Sequence, residues 1–265
     1  MRLVSFAGGF GRVDGSYVVP MGADLISYLE GATPVEKPRR PLDGLVMRPV
    51  VPRPEKIICV GLNYRDHAAE SNQAIPEEPV LFAKFNSSLI CPGAPIRLPK
   101  IAPDKVDYEA ELAVVIGRIA TRISRETALE FVAGYMCAND VSARDLQMRG
   151  GQWLRGKAID TFLPIGPWLV TKDEVPEPQN LSIRCTVNGD VLQDSNTREM
   201  VFGVAELVSV ISQTITLVPG DIICTGTPSG VGFARKPPRF LSHGDEVTVS
   251  IQGLGELTNT VQAET

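Results

Sequence analysis

Acidic residues alternating into an apolar strand restrict the fold more than any other pattern in this chain. The segment Asp107-Tyr108-Glu109-Ala110-Glu111-Leu112-Ala113-Val114-Val115-Ile116-Gly117 carries an acid at every second position and then turns wholly apolar. Successive side chains of a strand point to opposite faces, so Asp107, Glu109 and Glu111 share a face with Ala113 and Val115. Such a strand enters a core while its mouth holds negative charge. Carboxylates ~5 Å apart at an effective dielectric of ~20 repel by roughly 3 kcal/mol, and burial adds a desolvation cost. Either the strand end faces water, or a divalent cation cancels both terms.

A second segment bears on that choice. Gly134-Tyr135-Met136-Cys137-Ala138-Asn139-Asp140 is another apolar stretch ending in a carboxylate. If the two strand ends converge, Glu109, Glu111 and Asp140 form an all-oxygen site suited to hard cations: Mg2+ or Mn2+, with Ca2+ also compatible. The local alternative for Asp140 is a turn or an ion pair with Arg144. Soft-metal chemistry is disfavoured. His67 and His243 are the only histidines, and the five cysteines show neither a CxxC pair nor zinc spacing.

The surroundings of this segment predict a mixed α+β, strand-dominated fold. The 24 glycines and 21 prolines argue for many turns and short strands. Strands are expected at Leu3 to Phe6 and Tyr17 to Val19, and a helix around Leu25 to Leu29. Six prolines between residues 33 and 54 disfavour regular structure, so residues 33–52 read as a linker. This divides a small N-terminal α+β domain, residues 1–50, from a main body, residues 55–265. In the body, strands are expected at Lys56 to Val60, Leu181 to Val187 and Val247 to Ile251. Asn188-Gly189 signals a hairpin. Helices are expected at Ser124 to Val132 and along Val204 to Ile215.

Partners are bounded by charge and hydropathy. The net charge is −5 with dispersed basic residues, which argues against nucleic acid. No apolar run approaches the ~20 residues needed to span a bilayer. Scattered, mostly apolar-flanked cysteines and the lack of a signal-peptide core lead to the expectation of a reduced, cytoplasmic protein.

Three further segments carry candidate chemistry. His67 and Glu70 are three apart, close enough on a helical turn for the carboxylate to orient the imidazole as a general base. A surface helix can carry such a pair without function. Lys157, flanked by Gly156 and Ala158, is a candidate oxyanion stabiliser or an ordinary surface lysine. Thr225-Gly226-Thr227-Pro228-Ser229-Gly230-Val231-Gly232 lacks the Lys-Ser/Thr pair of a phosphate-binding loop. Its amides can cradle a carboxylate, or form only a tight turn.

In order, these segments resemble the fumarylacetoacetate hydrolase superfamily. The resemblance runs from about residue 55 to 262. It is carried by Val60-Gly61-Leu62-Asn63-Tyr64, Asp66-His67-Ala68-Ala69-Glu70, the acidic segment, Asn139 to Gln147, Gly156-Lys157 and the Thr225 to Gly232 loop. Gln147 to Pro167 and Gly232 to Leu241 are similar to the branch called fumarylacetoacetate hydrolase domain-containing protein 2, and bacterial diketo-sugar-acid hydrolases are also similar. The resemblance implies a β-roll body, a homodimer and a divalent cation on Glu109, Glu111 and Asp140. It implies a water-activating His67–Glu70 pair on a segment that orders over substrate, and Lys157 facing the enolate oxygen. Lys84 occupies the family's substrate-side lysine position, Arg144 and Gln147 match residues that touch either the substrate or the groups that hold it, and the loop adds Thr227 as a substrate contact. Phe85 stands where many members have proline.

The expected reaction is hydrolysis of a C–C bond in a 2,4-dioxo acid, an acylpyruvate or diketo sugar acid, to pyruvate and a carboxylic acid. The alternative keeps the same site for oxaloacetate decarboxylation, keto–enol tautomerisation or isomerisation of a 2-hydroxy-diene-dioate. A non-catalytic cation-binding or scaffold protein is the third reading, and His67, Glu70 and Lys157 count against it.

Overall fold

The acidic segment feeds a strand, Ala110–Ile116, that is buried along its whole length. Its two faces serve different cores, which explains why the apolar run is continuous rather than alternating. Leu112, Val114 and Ile116 face one cluster with Tyr135, Ile183 and Val249, while Ala113 and Val115 face another with Met136, Leu163 and Ile222. The computed structural model describes residues 1–264.

This strand lies inside an eleven-stranded sheet. Its antiparallel neighbours are Val132–Asn139 and Ile222–Cys224. Ile222–Cys224 pairs in parallel with Ile57–Gly61, whose other neighbour, Val80–Lys84, forms the edge. Beyond Val132–Asn139 comes Leu163–Thr171, followed by the N-terminal strands Arg2–Phe6, Gly9–Asp14, Tyr17–Gly22 and Arg40–Pro41. A five-stranded sheet is built from Asp190–Asn196, Ser182–Val187, Glu246–Ile251, Gly255–Ala263 and Ile96–Leu98. Its inward residues, among them Ile183, Val247, Val249 and Leu257, complete the larger core. The fold is thus strand-dominated and mixed, as its glycine and proline content implies.

Several local expectations are met. The helix Leu25–Leu29 is capped by Asp24, whose carboxylate accepts from Ser27 N. Asn188 and Gly189 take φ of 53° and 86°, the double left-handed turn that joins Ser182–Val187 to Asp190–Asn196. The helix Val204–Thr214 buries Val204, Leu207, Val208 and Ile211.

Two local expectations are corrected. The span Ser124 to Val132 holds only a short 3-10 turn, Ala128–Phe131, and Val132 already begins a strand. The β-branched Val132 and the glycine at 134, where a Cβ would fall 2.1 Å from Val170 O, suit close strand pairing rather than a helix. The N-terminal region contains a third strand, Gly9–Asp14, hidden from sequence by its two glycines. Arg2–Phe6 pairs with Leu163–Thr171, Leu3 opposite Leu169. Val50 and Val51, inside the proline-rich stretch, are buried in the core shared with Leu3 and Phe10. Val4, Phe6 and Val18 form a small cluster of their own.

Candidate active site

Antiparallel register brings the acids together. Ala110 lies opposite Asn139, so the start of one strand meets the end of the other and places Glu109 beside Asp140. Two hydrogen bonds fix the junction: Asp140 N donates to Glu109 O at 2.9 Å, and Glu109 N donates to Asn139 Oδ1 at 3.0 Å. Glu109, Glu111 and Asp140 each direct a carboxylate oxygen into one cluster, all within 4.8 Å of one another. All three are buried.

Asp107 does not join them, because the chain breaks its alternation at Tyr108-Glu109. Val106–Asp107 pairs instead with Ser142–Ala143. Its carboxylate accepts from Tyr108 N, Gly232 N, Phe233 N and Arg144 Nε. Arg144 then reaches Glu109 Oε1 at 2.7 Å and donates to Gln147 Oε1 at 3.0 Å. Asp107 thus positions Arg144 and the turn after the glycine-rich loop. Asp107→Ala should lower unfolding free energy by about 3–5 kcal/mol, because it removes one of the two carboxylates paired with the buried Arg144 and leaves three amides without their acceptor. Urea denaturation checks this.

The electrostatics are those of a site short of positive charge. Four buried carboxylates, Asp107, Glu109, Glu111 and Asp140, are met by Lys84, Arg144 and Lys157. Burial pushes Glu109 up, but Lys157 and Arg144 together outweigh it and hold the carboxyl at about 2. Burial, with Asp140, Cys59 and Glu109 nearby, pushes Glu111 well above the ordinary carboxylate range. Asp140 Oδ1 is buried without an aligned hydrogen bond, although Lys84 Nζ stands 2.8 Å away. Four buried acids against three buried cations, with Glu111 pushed up by burial and its acidic neighbours, are what a hard divalent cation would relieve, so the residues present fit such an ion.

Lys157 ends the short helix Leu154–Lys157 and holds Glu109 Oε2 and Asp140 Oδ2, each at 2.7 Å. Burial alone would lower its pKa, yet Asp140 and Glu109 raise it, so the ammonium persists. Lys84, expected on the substrate side, does not line the cavity. Its side chain is fully buried, and Nζ donates to the carbonyls of Val141, Lys157 and Phe162. With its donors spent on backbone, Lys84 braces Asp140 and the Lys157 turn.

His67 and Glu70 sit on the helix Arg65–Glu70, and His67 Nδ1 lies 2.8 Å from Glu70 Oε1. Glu70 Oε2 accepts from Gly230 N, and Asp66 Oδ2 accepts from Ser195 and Ser229 hydroxyls. The helix is therefore tied down over the site. The glycine-rich loop binds the protein's own carboxylate: Gly226 N donates to Glu111 Oε2 at 2.9 Å. Gly226 has φ +93°, and a Cβ there would lie 2.8 Å from Asn63 Cβ. Thr227 Oγ1 donates to Ala110 O and accepts from Gln193 Nε2.

One cavity of about 250 Å³ has Glu109, Glu111, Arg144, Gln147, Lys157 and Thr227 in its polar lining and His67 among its walls, while Asp140 and Glu70 stand behind the lining. Phe82, Met148, Trp153 and Phe233 supply its apolar side and were not singled out from sequence. Phe233 lies 4.5 Å from the Arg144 guanidinium and edge-on to His67. Its position one residue past the glycine-rich loop is the only signal that sequence offered.

Comparison with known proteins bears on this geometry. Residues 56–262 match the family described as fumarylacetoacetate (FAA) hydrolase C-terminal. The chain is 48% identical over 241 residues, 91% of this chain and 77% of the relative, to "Oxaloacetate tautomerase Fahd2a, mitochondrial" of Rattus norvegicus. It is 52% identical over 220 residues, 79% of this chain and 72% of the relative, to "Fumarylacetoacetate hydrolase domain-containing protein 2 homolog" of Dictyostelium discoideum. The crystal structure of 2-hydroxyhepta-2,4-diene-1,7-dioate isomerase from Mycobacterium marinum superposes with a TM-score of 0.85 at 36% identity, covering 100% of this chain and 99% of that one. These names favour the keto–enol and isomerase alternative over C–C hydrolysis. The rat relative's name is mitochondrial, which gives the cytoplasmic expectation no support. Among the described residues no helix is long and apolar enough to cross a membrane. The chain belongs to the fumarylacetoacetate hydrolase family, in the branch of fumarylacetoacetate hydrolase domain-containing protein 2.

Proposed function

We propose that this protein is a divalent-metal-dependent enzyme that interconverts the enol and keto forms of a small 2-oxo diacid, with oxaloacetate as the leading substrate. The observation that carries the reading is a single small cavity lined by Glu109 and Glu111, two members of a three-carboxylate cluster, and by the imidazole that Glu70 orients. The relatives' names support the choice of reaction. The reading retains the homodimer implied by the family resemblance.

Mg2+ or Mn2+, held by Glu109, Glu111 and Asp140, would supply Lewis acidity that stabilises enolate charge. The protein's own groups do the rest. His67 has Nδ1 engaged by Glu70, which leaves Nε2 as the nitrogen able to move a proton at the carbon beside the substrate carbonyl. Lys157 adds fixed positive charge to the cavity lining, which favours an enolate over its ketone. Arg144, pinned by Asp107 and Glu109, presents Gln147 toward the substrate. The helix carrying His67 is held at the cavity by Asp66, which accepts from Ser195, and by Glu70, which accepts from Gly230 N.

The test is the decay of enol-oxaloacetate absorbance with Mg2+ or Mn2+, with pyruvate and carbon dioxide assayed in parallel. We expect ketonisation at least about 10²-fold above buffer, loss of the effect on chelation, and no carbon dioxide beyond a blank that contains the metal alone. A second reading, hydrolysis of a 2,4-dioxo acid, is favoured by the same His67–Glu70 pair, which is also suited to activating water. An inert response to oxaloacetate together with stoichiometric pyruvate from an acylpyruvate would replace the first reading with the second.

A further inference from the structure

We infer that Trp153 sets the size limit of the substrate: its indole closes the apolar side of the cavity, admitting four-carbon 2-oxo diacids and refusing 2-oxo acids with an aryl group at C3. The inference rests on the enol–keto reading above. At about 250 Å³ the cavity lies below the ~300 Å³ at which pockets for larger ligands begin. The apolar side decides this volume, because the polar side is locked by ion pairs.

The indole has little freedom to retreat. It rests directly on the backbone of Gly61, where a Cβ would fall 2.3 Å from Trp153 Cζ3 and 2.7 Å from Cη2. Gly61 does not have a positive φ, so glycine is needed here for space rather than for backbone conformation. On another side Phe82 meets the indole edge-to-face, with centroids 5.4 Å apart. Phe82 in turn lies 5.1 Å from Lys157 Nζ, which links the aromatic wall to the charged lining. The backbone of Trp153 is held as well, since its carbonyl accepts from Gly156 N and Lys157 N. Gly156 lies against Gln147, where a Cβ would be 2.4 Å from Gln147 N, so the helix Leu154–Lys157 packs directly on the short helix Arg144–Gln147. A substitution at 153 therefore removes the ring while the backbone that seats Lys157 keeps its hydrogen bonds.

The experiment compares wild type, Trp153→Phe and Trp153→Ala on enol-oxaloacetate and enol-phenylpyruvate, and measures binding of oxalate and phenylpyruvate by calorimetry with Mg2+. Trp153→Ala should raise the phenylpyruvate-to-oxaloacetate ratio of kcat/KM at least about tenfold, and Trp153→Phe should raise it less. The ratio of the two binding constants should move in the same direction. Ratios within twofold of wild type in both variants would overturn the size limit. If wild type leaves enol-oxaloacetate untouched, the reaction reading fails alone, and the binding ratio still decides the role of Trp153. Should Trp153→Ala not fold, Trp153→Phe carries the same decision with a smaller expected change.

Discussion

Glu109→Gln, Glu111→Gln and Asp140→Asn should each lower kcat/KM for enol–keto conversion by at least about three orders of magnitude, roughly 4 kcal/mol at 1.36 kcal/mol per decade. Each removes one charged oxygen donor from a cluster whose atoms lie within 4.8 Å, and hard cations bind neutral amides far less well than carboxylates. Calorimetric titration with Mg2+ and Mn2+ should show the weakened binding directly. Unchanged affinity in all three variants would remove the cation from these residues. The three should differ in their effect on folding. Glu111 is a buried acid pushed upward by its neighbours, and the amide in Glu111→Gln keeps an oxygen for Gly226 N, so this variant should not lower metal-free stability. Asp140→Asn weakens ion pairs to two buried lysines and should destabilise.

His67→Ala should slow ketonisation by roughly two to four orders of magnitude, the usual worth of a positioned acid–base group. Cation affinity should stay near wild type, because His67 lies on a different segment from the three carboxylates. Measuring turnover and Mg2+ affinity on the same sample separates the two roles. Turnover within a factor of a few of wild type would mean that another group moves the proton. If acylpyruvate cleavage proves to be the reaction, the same variant should lose that activity while retaining far more oxaloacetate decarboxylation, which needs chiefly an electron sink.

The parts of the site legible in sequence are those set by local periodicity. Glu109 and Glu111 follow the two-residue period of a strand. His67 and Glu70 follow the three-residue spacing of a helical turn and meet at 2.8 Å. Asp140 needed only the inference that two acid-bearing strand ends converge; the antiparallel register that sets Glu109 beside it was not read from sequence. What stayed hidden depends on long-range geometry. Lys84 has the same residue type whether it touches substrate or three carbonyls, and only the fold shows that its ammonium is enclosed. Asp107 obeys the strand alternation in sequence, but pairing of Val106–Asp107 with Ser142–Ala143 turns it toward Arg144. Trp153 and Phe233 acquire meaning only when loops distant in sequence meet around one cavity.

The bracing of the acids by Lys84, Arg144 and Lys157 has a consequence for how the proposed site would take up a cation. In proteins whose ligands are held apart only by the ion, chelation and unfolding are one event. Here three cations built into the chain already hold Glu109 and Asp140 in place, and strand hydrogen bonds fix the backbone beneath them. The architecture therefore does not depend on a bound ion to hold these two acids in place. On the proposed metal-dependent reading, chelated protein should keep its urea midpoint near that of the loaded protein and regain turnover when Mg2+ or Mn2+ is added back.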